Sequence, residues 1–350
     1  DRLAIAEAGA ILPLVHMLGD GRNATTPQVR ATAVLSHLSR SSENRQAILD
    51  AGGMAPLVKM LSSHNIDAHT YAAGAVAHLA ANTVAQKLIS EQGGIHPLVA
   101  LLRGESIEAA RQAAIALWHM EASSDNKGAI VKAGAIPPLV ILLRRADSPE
   151  AQEAAAHVLA DLSRNHAGSK AITLAGGIPS LVGLLKIGST TAIKHAACTL
   201  WGMTSGAVGS AHWALAEANL ASLTRAGAVP LLVKMMAQSA TGELSHEHLG
   251  YAMATLNNLA QDASARSAVT DVSGVDIMIP IMADMPNIHG QDFSWLKMQA
   301  FEFLQKMGVD TSSGHVKLAH QPGGGKKGDK TGRQAGSTKP QMKVHASARA

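Results

Sequence analysis

"AGAIPPLVILL", residues 133–143, sets a glycine just ahead of two prolines and an unbroken apolar run. The pattern returns as "AGAILPLVHML" from Ala8, "AGGMAPLVKML" from Ala51, "QGGIHPLVALL" from Gln92, "AGGIPSLVGLL" from Ala175 and "AGAVPLLVKMM" from Ala226. Its glycines are Gly9, Gly52, Gly93, Gly134, Gly176 and Gly227, with a degenerate seventh at Gly274, spaced by 43, 41, 41, 42, 51 and 47 residues. A repeat near 42 residues predicts a helical solenoid.

Each unit reads as three helices. A short first helix, as in "SENRQAILDAG", ends at the glycine, which accepts the left-handed conformation that stops a helix and turns the chain. The second helix begins near the proline, whose missing donor has no intrahelical partner in the first turn. A polar loop such as "RRADSPE" follows, where Asp147 or Ser148 caps the next helix and Pro149 sits in its first turn. In the longer third helix, Val34, Leu35 and Leu38 recur as Ala75, Val76 and Leu79, as Ala116, Leu117 and Met120, and as Val158, Leu159 and Leu162. Those spacings fall on one helical face, which a single unit cannot bury but stacked units can.

Composition agrees with close helix packing: 47% of residues are hydrophobic but only 3% aromatic, so Ala, Leu, Val, Ile and Met make the core. Cys198 is the only cysteine, so no intrachain disulfide forms, and a cytoplasmic or nuclear setting is expected. No apolar run approaches the ~18 residues of a membrane span, and no transmembrane segment is expected. The opening "DRLAIAEAG" enters part-way through a first helix, which predicts a truncated first repeat and further chain upstream of Asp1. Net charge is +4, yet residues 308–350 hold eight basic against two acidic residues, leaving residues 1–307 nearly neutral. After Met307 the helical period stops, and 308–350 is expected to be a disordered basic tail.

The order of short helix, glycine, "aIpxLVxLL", loop and a helix ending "AL-x-Asn-Leu" resembles the armadillo repeat family over residues 1–307, and is more similar to β-catenin and yeast vacuolar armadillo protein arrays than to importin-α. The resemblance implies an all-α, right-handed superhelical solenoid of about seven repeats whose third helices line a concave groove. The family's groove asparagine falls on His37, His78, His119, Asp161, Gly202, Asn258 and Lys306. With the residues four and seven before it, the groove stripes are Arg30/Ala33/His37, Tyr71/Gly74/His78, Gln112/Ile115/His119, Ala154/His157/Asp161, His195/Cys198/Gly202, Tyr251/Ala254/Asn258 and Gln299/Glu302/Lys306. In importin-α-like members a tryptophan occupies the position four residues before the asparagine; no tryptophan stands there in this chain. Trp118 and Trp201 lie one residue before the asparagine position, about 100° round the helix from it. Helices stacked ~8–10 Å apart give seven repeats a groove of about 60 Å, suited to an extended peptide.

The function expected is therefore a non-catalytic protein-interaction scaffold. Arg30, His37, Tyr71, His78, Gln112, Trp118, His119, His157, Asp161, His195, Trp201, Tyr251 and Asn258 are its candidate peptide-binding residues. The alternatives are a nuclear-import-type adaptor for basic peptides, or the substrate-binding part of a ubiquitin ligase whose catalytic domain lies outside this sequence. No cofactor or metal is expected, since histidines one repeat apart cannot share an ion whose ligands each lie ~2 Å away. "LSHEHLG", 244–250, lacks the two-residue gap of a metalloprotease helix and reads as a helix start. Asp329 interrupts "GGGKKGDKT" as a phosphate loop, and Cys198 reads as a buried core thiol. Specific nucleic-acid binding is not expected, because the groove has few cations and little stacking surface. Oligomeric state is left open. The longer stretch between Gly202 and Gly227 predicts an extended first helix that carries Trp213.

Overall fold

The computed structural model describes residues 2–19, 21–206, 213–284, 294–310 and 317–318. Among them stand seven triplets of helices. They are α1 (Arg2–Glu7), α2 (Ile11–Met17), α3 (Thr26–Leu38); α4 (Ser42–Asp50), α5 (Met54–Met60), α6 (Ile66–Leu79); α7 (Thr83–Glu91), α8 (Ile95–Leu101), α9 (Ile107–Met120); α10 (Ser124–Lys132), α11 (Ile136–Leu142), α12 (Pro149–Leu162). Then follow α13 (His166–Leu174), α14 (Gly177–Ile187), α15 (Thr190–Thr204); α16 (Trp213–Arg225), α17 (Ala228–Ala240), α18 (His246–Leu259); α19 (Ala263–Asp271), α20 (Gly274–Asp284) and α21 (Ser294–Lys306).

The hinges follow the expected chemistry in six repeats and shift in the seventh. Gly9, Gly52, Gly93, Gly134, Gly176 and Gly227 all take φ between 69° and 76°, the left-handed region where a side chain is strained. In the last repeat Ser273 holds that conformation at φ 54°, so Gly274 is not the hinge. Gly274 corresponds instead to the residue after it, like Gly53, Gly94 and Gly177. A Cβ at any of these four would strike an Ile or Val of the same repeat's first helix (Ile48, Ile89, Ile172 or Val269). It would also press a valine of the preceding second helix (Val15, Val58, Val140 or Val233). One glycine turns the chain, and its neighbour lets two helices touch.

The third helices α6, α9 and α15 are capped by side chains at both ends, and α12 at its start. Asn65, Ser106, Ser148 and Ser189 each accept a backbone N–H at the start of α6, α9, α12 and α15. Of the two candidates before α12, Ser148 is the cap and Asp147 pairs with Arg145 at 2.8 Å. At the other end, residues of the next first helix satisfy the last carbonyls. Arg45 Nη1 donates to Ser39 O and Arg40 O, Gln86 Nε2 to Ala80 O, Asn126 Nδ2 to Met120 O, and Asn219 Nδ2 to Met203 O.

The expected core is buried: Leu35, Val76, Leu79, Leu117, Met120, Val158, Leu159 and Leu162 are all at most 1% exposed, while Val34, in the first repeat, is 37% exposed. The chain divides into two compact units, Asp1–Asn219 and Leu220–Ala350, with the division inside α16. In the first, α3, α6, α9, α12 and α15 pack each on the next. In the second, α17 packs on α18 and α18 on α21. α16 has 13 residues against 9 in the first helices α4, α7, α10 and α13, as the longer spacing predicts. Residues 207–212 before it lie outside the described residues. Within the stretch expected to lack structure from 308, Val309–Asp310 pairs antiparallel with Lys317–Leu318; residues 319–350 lie outside the described residues. Among the described residues no single helix is long and apolar enough to cross a membrane.

Candidate functional site

Along the stripes read from the sequence, Gly74, Ala154 and Cys198 are buried, and the larger polar and aromatic residues reach the surface. On α6, residues 72–77 are buried while Tyr71 is exposed and His78 half-buried; on α12, His157 and Asp161 are half-buried between buried neighbours. Arg30 and His37 are exposed on α3, and Trp118, His119, His195 and Trp201 are half-buried. Gln112 departs from this pattern. It is buried, and its Nε2 donates to Glu108 Oε1 at 2.8 Å beside the Glu108–Arg111 ion pair, so it supports the wall rather than facing solvent.

Neighbouring third helices interlock in a fixed register, counted from the asparagine position. The residue one before it faces the residue four before it on the next helix: Ser36 Oγ lies against Gly74, and Trp118 against His157. That residue in turn faces the one seven before on the following helix, as His157 faces His195. The residue two after faces the next asparagine position: Ser39 Oγ bonds His78 Nδ1 at 2.9 Å, and Ser163 Oγ lies where a Cβ on Gly202 would stand. Gly74 and Gly202 are thus floor positions that leave room for a serine of the preceding repeat.

This register produces a feature not evident from the stripes alone. Trp118 stacks on His119 with ring centroids 4.6 Å apart and interplanar angle 20°; His157 lies 4.1 Å from Trp118 and 3.9 Å from His195. Four rings from α9, α12 and α15 form one row. Burial holds the His157 pKa far below its ordinary 6.5, at about 4, with the positive charge of Lys194 contributing and Asp161 opposing. Burial also lowers the pKa of His78 and of His119, and nearby arginines add to this: Arg40 and Arg45 at His78, Arg45 at His119. His78, His119 and His157 are therefore neutral near pH 7. The rings stack instead of converging, and no group of three or more metal-ligating side chains exists among the described residues.

Two polar groups escaped the sequence reading. Glu121, just past α9, is 1% exposed, and neither carboxyl oxygen has a hydrogen-bond partner. Burial, then the charge of Asp161, raise its pKa well above the carboxylate range. In the second unit, Tyr251 and Asn258 are half-buried on α18, but buried Asn257 is the structural centre. Its Nδ2 donates to Gln299 Oε1 (2.9 Å) and Glu302 Oε2 (2.8 Å), and Lys306 Nζ donates to its Oδ1 (2.7 Å) and backbone O (3.1 Å). Gln299, Glu302 and Lys306, read as a final groove stripe, are engaged in this latch between α18 and α21. In "LSHEHLG", His248 is buried with its Nδ1 2.8 Å from Ser245 Oγ, and His246 and Glu247 are exposed.

Residues 1–218 match the family model described as the plant U-box protein ARM repeat region. No curated protein matches the sequence. Among solved structures, one engineered protein is 31% identical over 87% of this chain and 70% of its own, with a TM-score of 0.70. A designed armadillo repeat protein made for modular peptide recognition is 27% identical over 71% of this chain and 99% of its own, TM-score 0.60. Another, solved in complex with the peptide (KR)4, is 27% identical over the same shares, TM-score 0.57.

Proposed function

The chain belongs to the family of the plant U-box protein armadillo repeat region, and from that premise we propose that it is a non-catalytic scaffold whose first unit binds an extended segment of a partner protein. The His119–Trp118–His157–His195 ring row carries this reading. Rings held in place by one another lose little freedom on binding, and half-exposed aromatic side chains are the residue type that dominates binding energy at interfaces. A neutral imidazole has one donor and one acceptor, matching the alternating donors and acceptors of an extended backbone. His37, Arg30, Tyr71 and His78 extend the surface toward α3, and Asp161 and Trp201 toward α15. The likeness to designed proteins that recognise peptides supports the same use of the surface.

The test is a selection of short peptides from a random display library on the whole chain, followed by affinity measurement on the variant Trp118→Ala/His119→Ala. Binding should fall about thirtyfold or more, the effect of removing an aromatic anchor. Unchanged affinity in a folded variant overturns the reading.

A second reading, favoured by the family match over 1–218, is that this scaffold selects substrates for a ubiquitin ligase. In cells, a partner captured through the ring row should then turn over more slowly when Trp118→Ala/His119→Ala replaces the wild-type chain. An adaptor for basic nuclear-import peptides is less favoured. The positions its tryptophans would need are held by Gly74, packed under Ser36, and by His157, enclosed between two rings.

A further inference from the structure

The last third helix, α21, carries a joint face with no third helix packed on it among the described residues. Counted from the asparagine position, the residue five before it is Thr32, Ala73, Ala114, Ala156, Ala197 or Met253 in the six earlier repeats, each fully buried. The residue eight before it meets the start of the next third helix. Thr70 Oγ1 lies 3.2 Å from Ser106 Oγ, Ser189 Oγ donates to Glu153 Oε1, and a Cβ on Gly250 would stand 3.2 Å from the Trp295 ring. On α21 these two positions are Phe301 and Met298, and they are 37% and 48% exposed. Trp295, 41% exposed above Gly250, completes a row at 295, 298 and 301.

The end of a solenoid ordinarily turns a polar face to water, because no neighbour covers it. Here the end is aromatic and apolar in the register of an inner joint. The sequence that follows is poorly suited to cover it, since Met342 and Val344 are the only large apolar residues in 319–350, too few for a helical stripe.

The row is its own complement. Because its members stand three residues either side of Met298, a twofold axis through that residue sets Met298 on Met298 and Trp295 of each copy on Phe301 of the other. Thioether and aromatic contacts of this kind are favourable beyond the area they bury. Charge does not oppose the pairing. Lys297 falls toward Gln299 of the second copy, while Glu302 and Lys306 are held on the α18 side by Asn257. A row with this spacing is inclined about 45° to the helix axis, so the two helices cross steeply and the contact is compact.

We infer that α21 is a self-association surface, through which two copies of this chain pair by Trp295, Met298 and Phe301 about a twofold axis at Met298. The surface belongs to the second unit and does not depend on the groove reading. Three side chains per copy fall short of the ~800 Å² per partner of a standard interface, so the dimer is weak and concentration-dependent.

The test is sedimentation velocity on the whole chain, which should show a monomer–dimer equilibrium with a Kd of about 10–100 µM. Met298→Lys changes an exposed residue and leaves the core intact, and it should weaken the dimer about tenfold or more by setting two ammonium groups together on the axis. Met298→Glu should do the same alone, and mixing the two variants should restore the dimer, since opposite charges then meet. Met298→Cys should form an interchain disulfide under mild oxidation, because a residue on a twofold axis faces itself. Ile141→Cys, 61% exposed on α11, should not. A chain still monomeric at about 300 µM would give the face to another protein or to residues 319–350, and would overturn the proposal. A dimer that survives Met298→Lys, or charged variants that stay monomeric when mixed, would also overturn it. Growth beyond a dimer would mean that α21 docks on a different face of the next copy, which refutes the twofold pairing.

Discussion

Two joints between third helices, α9 with α12 and α18 with α21, are built on one register and finished in opposite ways. At the second, Asn257 occupies the position before the groove asparagine and makes four hydrogen bonds to Gln299, Glu302 and Lys306. At the first, the same position is Trp118, which offers a ring to His157, and Glu121 is left buried without a partner. A polar joint with its bonds made fastens two helices. A joint that leaves a carboxyl unsatisfied beside half-exposed rings gives up stability that the finished joint keeps.

The largest effect is expected where the finished joint is broken. Asn257→Leu removes three side-chain hydrogen bonds of a buried residue, to half-buried Gln299 and Glu302 and to exposed Lys306, and should cost about 2–3 kcal/mol in urea unfolding of the second unit. A loss below about 1 kcal/mol would mean that solvent already satisfies these groups.

Glu121→Met should act in the opposite direction, stabilising the protein by about 1–3 kcal/mol at pH 7.5 because a buried unpaired acid is removed. The sign with pH is fixed. A carboxyl whose folded pKa is raised adds stability below its unfolded value of 4.5 and loses it as pH climbs through the folded value. The advantage of Met should therefore shrink as pH falls toward 4.5, which paired denaturation curves at the two pH values will show.

His157 provides a smaller and cleaner reading of the ring row. Its folded pKa is depressed from 6.5 to about 4, so its neutral form contributes stability above pH 6.5 that is lost as pH falls through that window. NMR titration should find this imidazole still neutral at pH 5.5. An unshifted midpoint near 6.5 would show that water reaches the ring freely.

How these joints arise divides what the residues announce from what they conceal. Gly134 and the prolines after it announce the hinge, since a left-handed turn and a missing donor are properties of single residues. That Tyr71 and His78, or His157 and Asp161, share one helical face was legible for the same reason, because spacings of four and seven lie on one face whatever surrounds the helix. The ring row was not. It depends on the stagger between adjacent helices, which sets Trp118 against His157 and His157 against His195, and no within-helix period carries that stagger. Glu121 left a trace that went unread, an ionisable residue at a position otherwise small. The seventh hinge was misplaced because Ser273 adopts the left-handed turn and Gly274 stands beside it. Ser273→Gly should relieve that strain and stabilise the second unit by about 1 kcal/mol, the smallest change expected here.

The four tryptophans give the most direct test of the ring row as the peptide-binding surface. In a two-dimensional NMR spectrum of the indole N–H groups, adding a peptide selected on the whole chain should shift the Trp118 signal. The signals of Trp213 and of Trp295, on α16 and α21, should stay in place. A shift confined to Trp213 or Trp295, with Trp118 unmoved at saturation, would contradict the assignment of the ring row as the peptide site.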